Sequence, residues 1–331
     1  MKTRNRKHGS NRLPECVPKL RQNQEQGQLF QFLIMSLFLV SAGLGFSSTA
    51  SGHGDMDPEI HEITEELEEE PESVRLLIKR GHVFRSYGRF EEALADFNKA
   101  GELDPNNRQV RLEHSITLSS MGLNEEAESG LNAVLQEDLG PLKIFALAER
   151  AAIRVRTNRP ELAIEDYTAV LRLQPTSEVY FRRGKLQESL GLLEEAAENY
   201  NEGIAKLGHA IVLKNALIET RIKQKKYEDA LVLIDDQIHR TPVKTQQYFQ
   251  RAEVLRQMGR KEEARATYDQ ALSEANRILG KRHTAIHLMA RAKIYHALGQ
   301  QQEAMNDLRE ALRHAPRYED AEQLLQEWTK K

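Results

Sequence analysis

The strongest constraint on this chain is a period. Seven times between Val74 and Pro316 a first position is followed twelve residues later by Ala, and four residues after that Ala stands an aromatic or aliphatic side chain. The first position is Gly81, Ser115, Ala151, Gly184, Ile218, Ala252 and Ala292; the second is Ala93, Ala127, Ala163, Ala196, Ala230, Ala264 and Ala304. Intervals of 34, 36, 33, 34, 34 and 40 residues mark a repeat array. Each unit reads as two antiparallel helices, because a lone helix pair cannot bury its apolar face and must stack on a neighbour. A chain of 331 residues with 40% hydrophobic content could hold two globular domains, but the repetition favours one elongated domain.

Turn signals fall where these helices must stop. Gly88, Gly122, Asn158, Gly191, Gly259 and Gly299 stand between the two helices of a unit, and Pro105, Pro141, Pro175, Pro242 and Pro316 stand near unit ends. The fifth unit lacks the Gly and uses Lys225 and Lys226 instead. Between Ala271 and His287 the only breaker is Gly280, which predicts an extended second helix, or an added turn, in the sixth unit.

The first unit carries Leu77, Gly81, Phe84, Gly88, Phe90, Ala93, Phe97, Ala100 and Pro105, and on these residues the chain resembles the tetratricopeptide repeat family. The resemblance implies an all-α fold, a right-handed α-solenoid of about seven helix pairs with capping helices, and a concave face lined by the first helices of the units. It also brings to mind a carboxylate clamp that some members use for C-terminal peptides. His82 and Ile116 stand where that clamp needs Asn, so this function is not carried over.

The expected organisation is a signal peptide or membrane anchor over 1–50, a flexible lead and acidic capping helix over 51–73, seven repeats over 74–318 and a C-terminal capping helix over 319–331. Seven Lys or Arg against two Glu give the first fifty residues a net +5, leaving −8 on the rest of a chain whose formal total is −3. An acidic body argues against nucleic acid as a partner, since that affinity comes largely from cations at phosphates. The basic stretch, the apolar run Phe32 to Phe46 and the small residues after it have the layout of an export signal. The expected location is therefore exported, periplasmic or secreted, of a bacterial type; the alternative is anchoring through residues 30–46 with the repeats outside the cytoplasm. The single Cys16 precedes the apolar run and would be lost on cleavage, leaving no thiol for a disulfide. Cleavage after Ala50 would expose Ser51-Gly52-His53, which resembles the amino-terminal copper and nickel motif, with His53 as the candidate metal ligand.

No phosphate loop, nucleophile elbow, metalloprotease helix or paired Cys motif is present in the sequence, so a non-enzymatic role with no cofactor is expected. His283 and His287 are one helical turn apart and could share a metal only with a third ligand from a neighbouring helix. Arg80, Arg150, Arg183, Arg251 and Arg291 each precede the first position of a unit. Asp96, Asp166 and Asp307 stand sixteen residues after three of them, while Asn199 and Thr267 follow the other two. This pairing predicts structural bridges between the two helices of a unit.

Function is expected on the concave face. The candidate groove residues are Ile78, His82, Leu112, Phe181, Lys185, Asn215, Glu219, Phe249, Glu253, Arg256, Met289, Lys293 and His296. An apolar stripe flanked by charges of both signs suits a protein or peptide partner. The expected role is an exported scaffold or adaptor; the alternatives are N-terminal Cu(II) or Ni(II) handling and service as an accessory subunit of an envelope enzyme complex. The sequence leaves the oligomeric state open.

Overall fold

The computed structural model describes residues 58–208 and 210–329. The leader, Cys16 and His53 lie outside the described residues. Within them are sixteen α-helices and no strand, and no helix is long and apolar enough to cross a membrane. In chain order the helices are α1 (Pro58–Glu69), α2 (Val74–Ser86), α3 (Phe90–Leu103), α4 (Arg108–Ser120), α5 (Asn124–Leu135), α6 (Lys143–Arg156), α7 (Pro160–Leu173) and α8 (Ser177–Ser189). They continue as α9 (Leu193–Leu207), α10 (Ile211–Lys223), α11 (Tyr227–Arg240), α12 (Thr245–Gln257), α13 (Lys261–Leu279), α14 (Ala285–Ala297), α15 (Gln301–His314) and α16 (Glu319–Thr329). From α2 to α15 they form seven pairs, and the described residues divide into two compact units, up to and from the 149/150 boundary.

The period places its residues at the centre of each pair. All seven Ala of the second position are buried to 2% exposure or less. Four residues on, a larger side chain packs between the helices, and in the first and fourth repeats the first position is sized to receive it. A Cβ added to Gly81 would come within 2.8 Å of the Phe97 ring, and one added to Gly184 would strike the Tyr200 ring. Gly is therefore required opposite those two rings, while Ala stands at the same position opposite Tyr167 and Tyr268.

In the first unit, Ile60, Ile63 and Leu67 of α1 join one core with Leu76, Leu77, Ile78, Phe84 and Phe97. Their three- and four-residue spacing puts them on one stripe, and the glutamates occupy the rest of the helix. In the second unit, α13 runs to 19 residues because nothing interrupts it before Gly280, and its added turn buries Ala275, Ile278 and Leu279. Ala321 of α16 is fully buried against the last pair, with Leu324, Leu325 and Trp328 packed partly over it.

The recurrent Arg bridges the helix pair, and Arg80, Arg183, Arg251 and Arg291 also reach the helix before it. Arg80 meets Asp96 through two bonds of 2.8 and 2.7 Å, Arg150 meets Asp166 at 3.1 and 2.6 Å, and Arg291 meets Asp307 at 2.7 Å twice. Arg183 donates to Asn199 at 2.7 Å, and Arg251 to Thr267 at 3.3 Å. The guanidinium's spare N–H groups then turn backwards: Arg80 to Thr64 at 3.2 Å, Arg183 to Thr168 at 2.9 Å, Arg251 to Asp235 at 2.8 Å and Arg291 to Asn276 at 2.8 Å. Arg80, Arg183, Arg251 and Arg291 thus each tie three helices, which the rigid five-donor fork allows. Thr64 lies on α1, so α1 occupies the place that a preceding second helix holds elsewhere.

Candidate functional site

The expected groove is built on the first helix of each pair, where positions four apart share a face. Phe181 and Lys185 lie on α8, Asn215 and Glu219 on α10, Phe249, Glu253 and Arg256 on α12, and Met289, Lys293 and His296 on α14. All belong to the second unit.

On α8 and α10 these side chains form a charged network with an aromatic floor. Lys185 Nζ sits 5.6 Å from the centre of the Phe181 ring and bonds Glu219 at 3.1 Å and Glu188 at 3.4 Å. Glu188 is the hub, its side chain only 4% exposed. It accepts from Tyr200 Oη at 3.0 Å, from Thr220 Oγ1 at 2.9 Å and from Lys223. Burial pushes the Glu188 carboxyl up, but the bonds from Lys223, Thr220 and Tyr200 and the Lys185 charge bring it below its ordinary value. The Tyr200 hydroxyl is driven the other way, upward, by burial and by the Glu188 charge.

On α12 the Phe249 ring lies 5.9 Å from Tyr268, tilted by 56°. Tyr268 Oη donates to Glu253, which also pairs with Arg256 at 2.7 Å. Phe181 and Phe249 are both half-buried. Phe249 packs in addition against the core around Ile234 and Leu255, so it is an anchor of the fold as well as a candidate contact. Met289 likewise leans on the core around Leu288, while Arg256 and Glu219 are largely exposed. Asn215 is exposed but its amide oxygen accepts from Gln237 at 2.8 Å. His296 stacks on Trp328 of α16, with ring centres 4.0 Å apart and planes within 12°; Lys293 is half-buried beside it in sequence.

In the first unit the expected groove positions are closed. Ile78 is 7% exposed and Leu112 fully buried, so neither offers surface to a partner. Ile78 belongs to the core that α1 completes, which is why an outward assignment fails for it. His82 is turned to Glu113, with 3.0 Å between Nε2 and Oε1, and Arg85 approaches the other carboxylate oxygen at 2.7 Å. Both contacts lie within hydrogen-bond distance of a carboxylate that solvent does not reach. Burial drives the fully enclosed Glu113 carboxyl up, and the His82 and Arg85 charges overcome it, bringing it down to about 2.

Glu113 and Glu188 escape sequence reasoning because Arg85, which holds the first, and Thr220 and Lys223, which hold the second, lie 28 to 35 residues away in the neighbouring repeat, where residue type follows no period. The only sequence signal is an acid on a first helix with a Lys or Arg about one repeat away. His283 and His287 do not converge: His287 Nδ1 lies 2.7 Å from Thr284 Oγ1, while His283 faces Glu310 of α15.

Three family models described as tetratricopeptide repeat match residues 74–107, 149–208 and 247–317. The human protein O-mannosyl-transferase TMTC1 is 28% identical over 176 residues, 49% of this chain and 19% of that protein. Human tetratricopeptide repeat protein 6 is 26% identical over 130 residues, 38% of this chain and 25% of that protein. The chain therefore matches no more than a quarter of the length of these relatives. The C-terminal part of a TPR repeat-containing protein from Cytophaga hutchinsonii superposes with a TM-score of 0.55 at 15% identity, covering 74% of this chain and 97% of that one. Seven helix pairs with a buried Ala at the same place in each second helix, matched by these family models in three separate stretches, make this chain a tetratricopeptide repeat protein.

Proposed function

We propose that the chain is a non-enzymatic adaptor that binds a peptide segment of another protein along the first helices of its second unit. The observation that supports this most is the pairing of half-buried rings with charges of both signs at one register: Phe181 beside Lys185 and Glu219, and Phe249 beside Glu253 and Arg256. Rings held by a packed scaffold lose little entropy when a flexible partner docks, so their apolar area contributes almost in full. The charges fix the direction and register of the bound segment. Tetratricopeptide repeats as a family bind protein and peptide partners, which supports the same role. The transferase named among the relatives is matched over 19% of its length, and that overlap carries no activity to this chain.

The test is selection of an unstructured peptide library on the full chain, followed by titration of enriched peptides against Phe181→Ala and Phe249→Ala. Enriched peptides with apolar anchors should bind the parent and weaken on both variants; equal binding by all three proteins rejects this surface. Export is part of the proposal, and the N-terminus of chain recovered from its native cells reports on it. A start at Ser51 supports export with cleavage, an intact leader in the membrane fraction indicates an anchor, and an intact leader in the soluble cytosol rejects both.

A further inference from the structure

The last repeat brings together three metal-ligating side chains from two elements. Glu310 and His314 stand one turn apart on α15, and His283 reaches them from the 281–284 connection that follows α13. His283 Nε2 lies 3.1 Å from Glu310 Oε1. The His283 and His314 rings are 5.4 Å apart, and one ligand atom from each of the three residues falls within 4.8 Å of the others.

A simple ion pair accounts for His283 and Glu310 but not for His314. Two protonated imidazoles beside one carboxylate repel each other, whereas two neutral ones offer two lone pairs to the same cation. Arg291, which also feels the Glu310 charge, is committed to Asp307 and Asn276. Ligands on one tetrahedral ion at about 2.0–2.1 Å stand roughly 3.3 Å apart. The His283 to Glu310 separation already meets that value, and His314 has to close by at most about 1.5 Å. His283 and His314 are exposed, so a rotamer change supplies that movement without disturbing the core.

We propose that His283, Glu310 and His314 bind one divalent transition-metal ion of the zinc class, with the remaining coordination open to water. Two imidazoles and a carboxylate favour Zn(II) or Co(II) over Mg(II) and Ca(II), which prefer all-oxygen sets. The bound ion ties the connection after the long α13 to the last turn of α15.

The test is titration of the full chain with Zn(II) against a chromophoric chelator, with Co(II) as a spectroscopic substitute and circular dichroism to confirm that every variant is folded. One equivalent should bind, Co(II) should develop visible absorption, and excess Mg(II) should not compete. Loss of outer-sphere support alone weakens metal sites about 10- to 100-fold, so His283→Ala and His314→Ala should each weaken binding by about tenfold or more. His287→Ala should bind as the parent does. The proposal is overturned by absence of saturable binding, by parent affinity in both His283→Ala and His314→Ala, or by competition from Mg(II). Binding abolished by His53→Ala but kept in the other variants places the ion at the N-terminus and overturns it equally.

Discussion

Arg80 and Asp96 face each other across the first helix pair, and both carboxylate oxygens accept from the guanidinium, at 2.8 and 2.7 Å. Asp96 is 4% exposed, so its charge is held almost wholly by this contact. The Asp96 bond and charge raise the Arg80 pKa in spite of burial, keeping it a cation at any working pH. Removing the acid leaves that cation partly buried with Thr64 as its remaining side-chain acceptor. Asp96→Ala is expected to cost about 3 kcal/mol, well above the range of an exposed pair. Asp96→Asn should cost less, because Asn199 occupies the same position in the fourth repeat and accepts from Arg183 at 2.7 Å while donating to the Tyr180 carbonyl. Chemical denaturation of the three proteins checks the order; equal midpoints would show the pair to be energetically idle.

Glu113 predicts a dependence on acid. Its folded pKa of about 2 is below the ordinary carboxyl value of 4.5, so its stabilisation is fully present above the higher value and is lost as pH falls through the lower one. The parent should therefore lose stability between about pH 4.5 and pH 2. Glu113→Gln should be less stable at pH 7, by a figure on the order of 3 kcal/mol, and flatter across that window. Thermal midpoints at several pH values decide it. A parallel decline in both proteins would place the acid sensitivity elsewhere.

Phe181 and Phe249 occupy one register position but should respond differently to truncation. Phe249 contributes to the core around Ile234 and touches Tyr268, so Phe249→Ala should lower stability by about 2 kcal/mol. Phe181 sits under Lys185 on the network side, and Phe181→Ala should cost about 1 kcal/mol or less. Both should weaken peptide binding. If stability falls equally and binding is untouched, the rings serve packing alone.

The period itself was legible from the first residue to the last: each of the seven Ala is buried, and all three Arg and Asp pairs form. Spacing within a pair is fixed by two short helices and one turn, so a contact at sixteen residues recurs in sequence. Contacts between repeats are not so marked. The backward reach of the Arg meets Thr64, Thr168, Asp235 or Asn276, because any oxygen at the right height satisfies a guanidinium N–H. Exposure was harder still, as Ile78 shows. Its register matches Phe181, yet its side chain is enclosed in the core that α1 completes.

The turn between α10 and α11 carries the last prediction. Six of the seven turns within helix pairs have Gly or Asn at a left-handed residue, among them Gly191 at φ 77° and Asn158 at φ 56°. Lys225 takes that conformation at φ 59° with a β-carbon and no side-chain amide to offset the strain. Placing an ordinary L-residue there costs about 1–2 kcal/mol, while Gly loses roughly 0.5–1 kcal/mol more chain entropy on folding. The difference favours Gly. Lys225 is exposed, and its backbone N–H donates to the Ile222 carbonyl at 2.9 Å, a bond that any residue but Pro retains. Lys225→Gly should therefore stabilise the chain by about 0.5–1 kcal/mol. Gly191→Ala should destabilise it by a similar amount, since a Cβ there meets no atom within 4 Å and only the backbone conformation resists it. Denaturation midpoints moving in opposite directions carry the argument, and a less stable Lys225→Gly would mean that the Lys225 side chain holds the turn through a contact of its own.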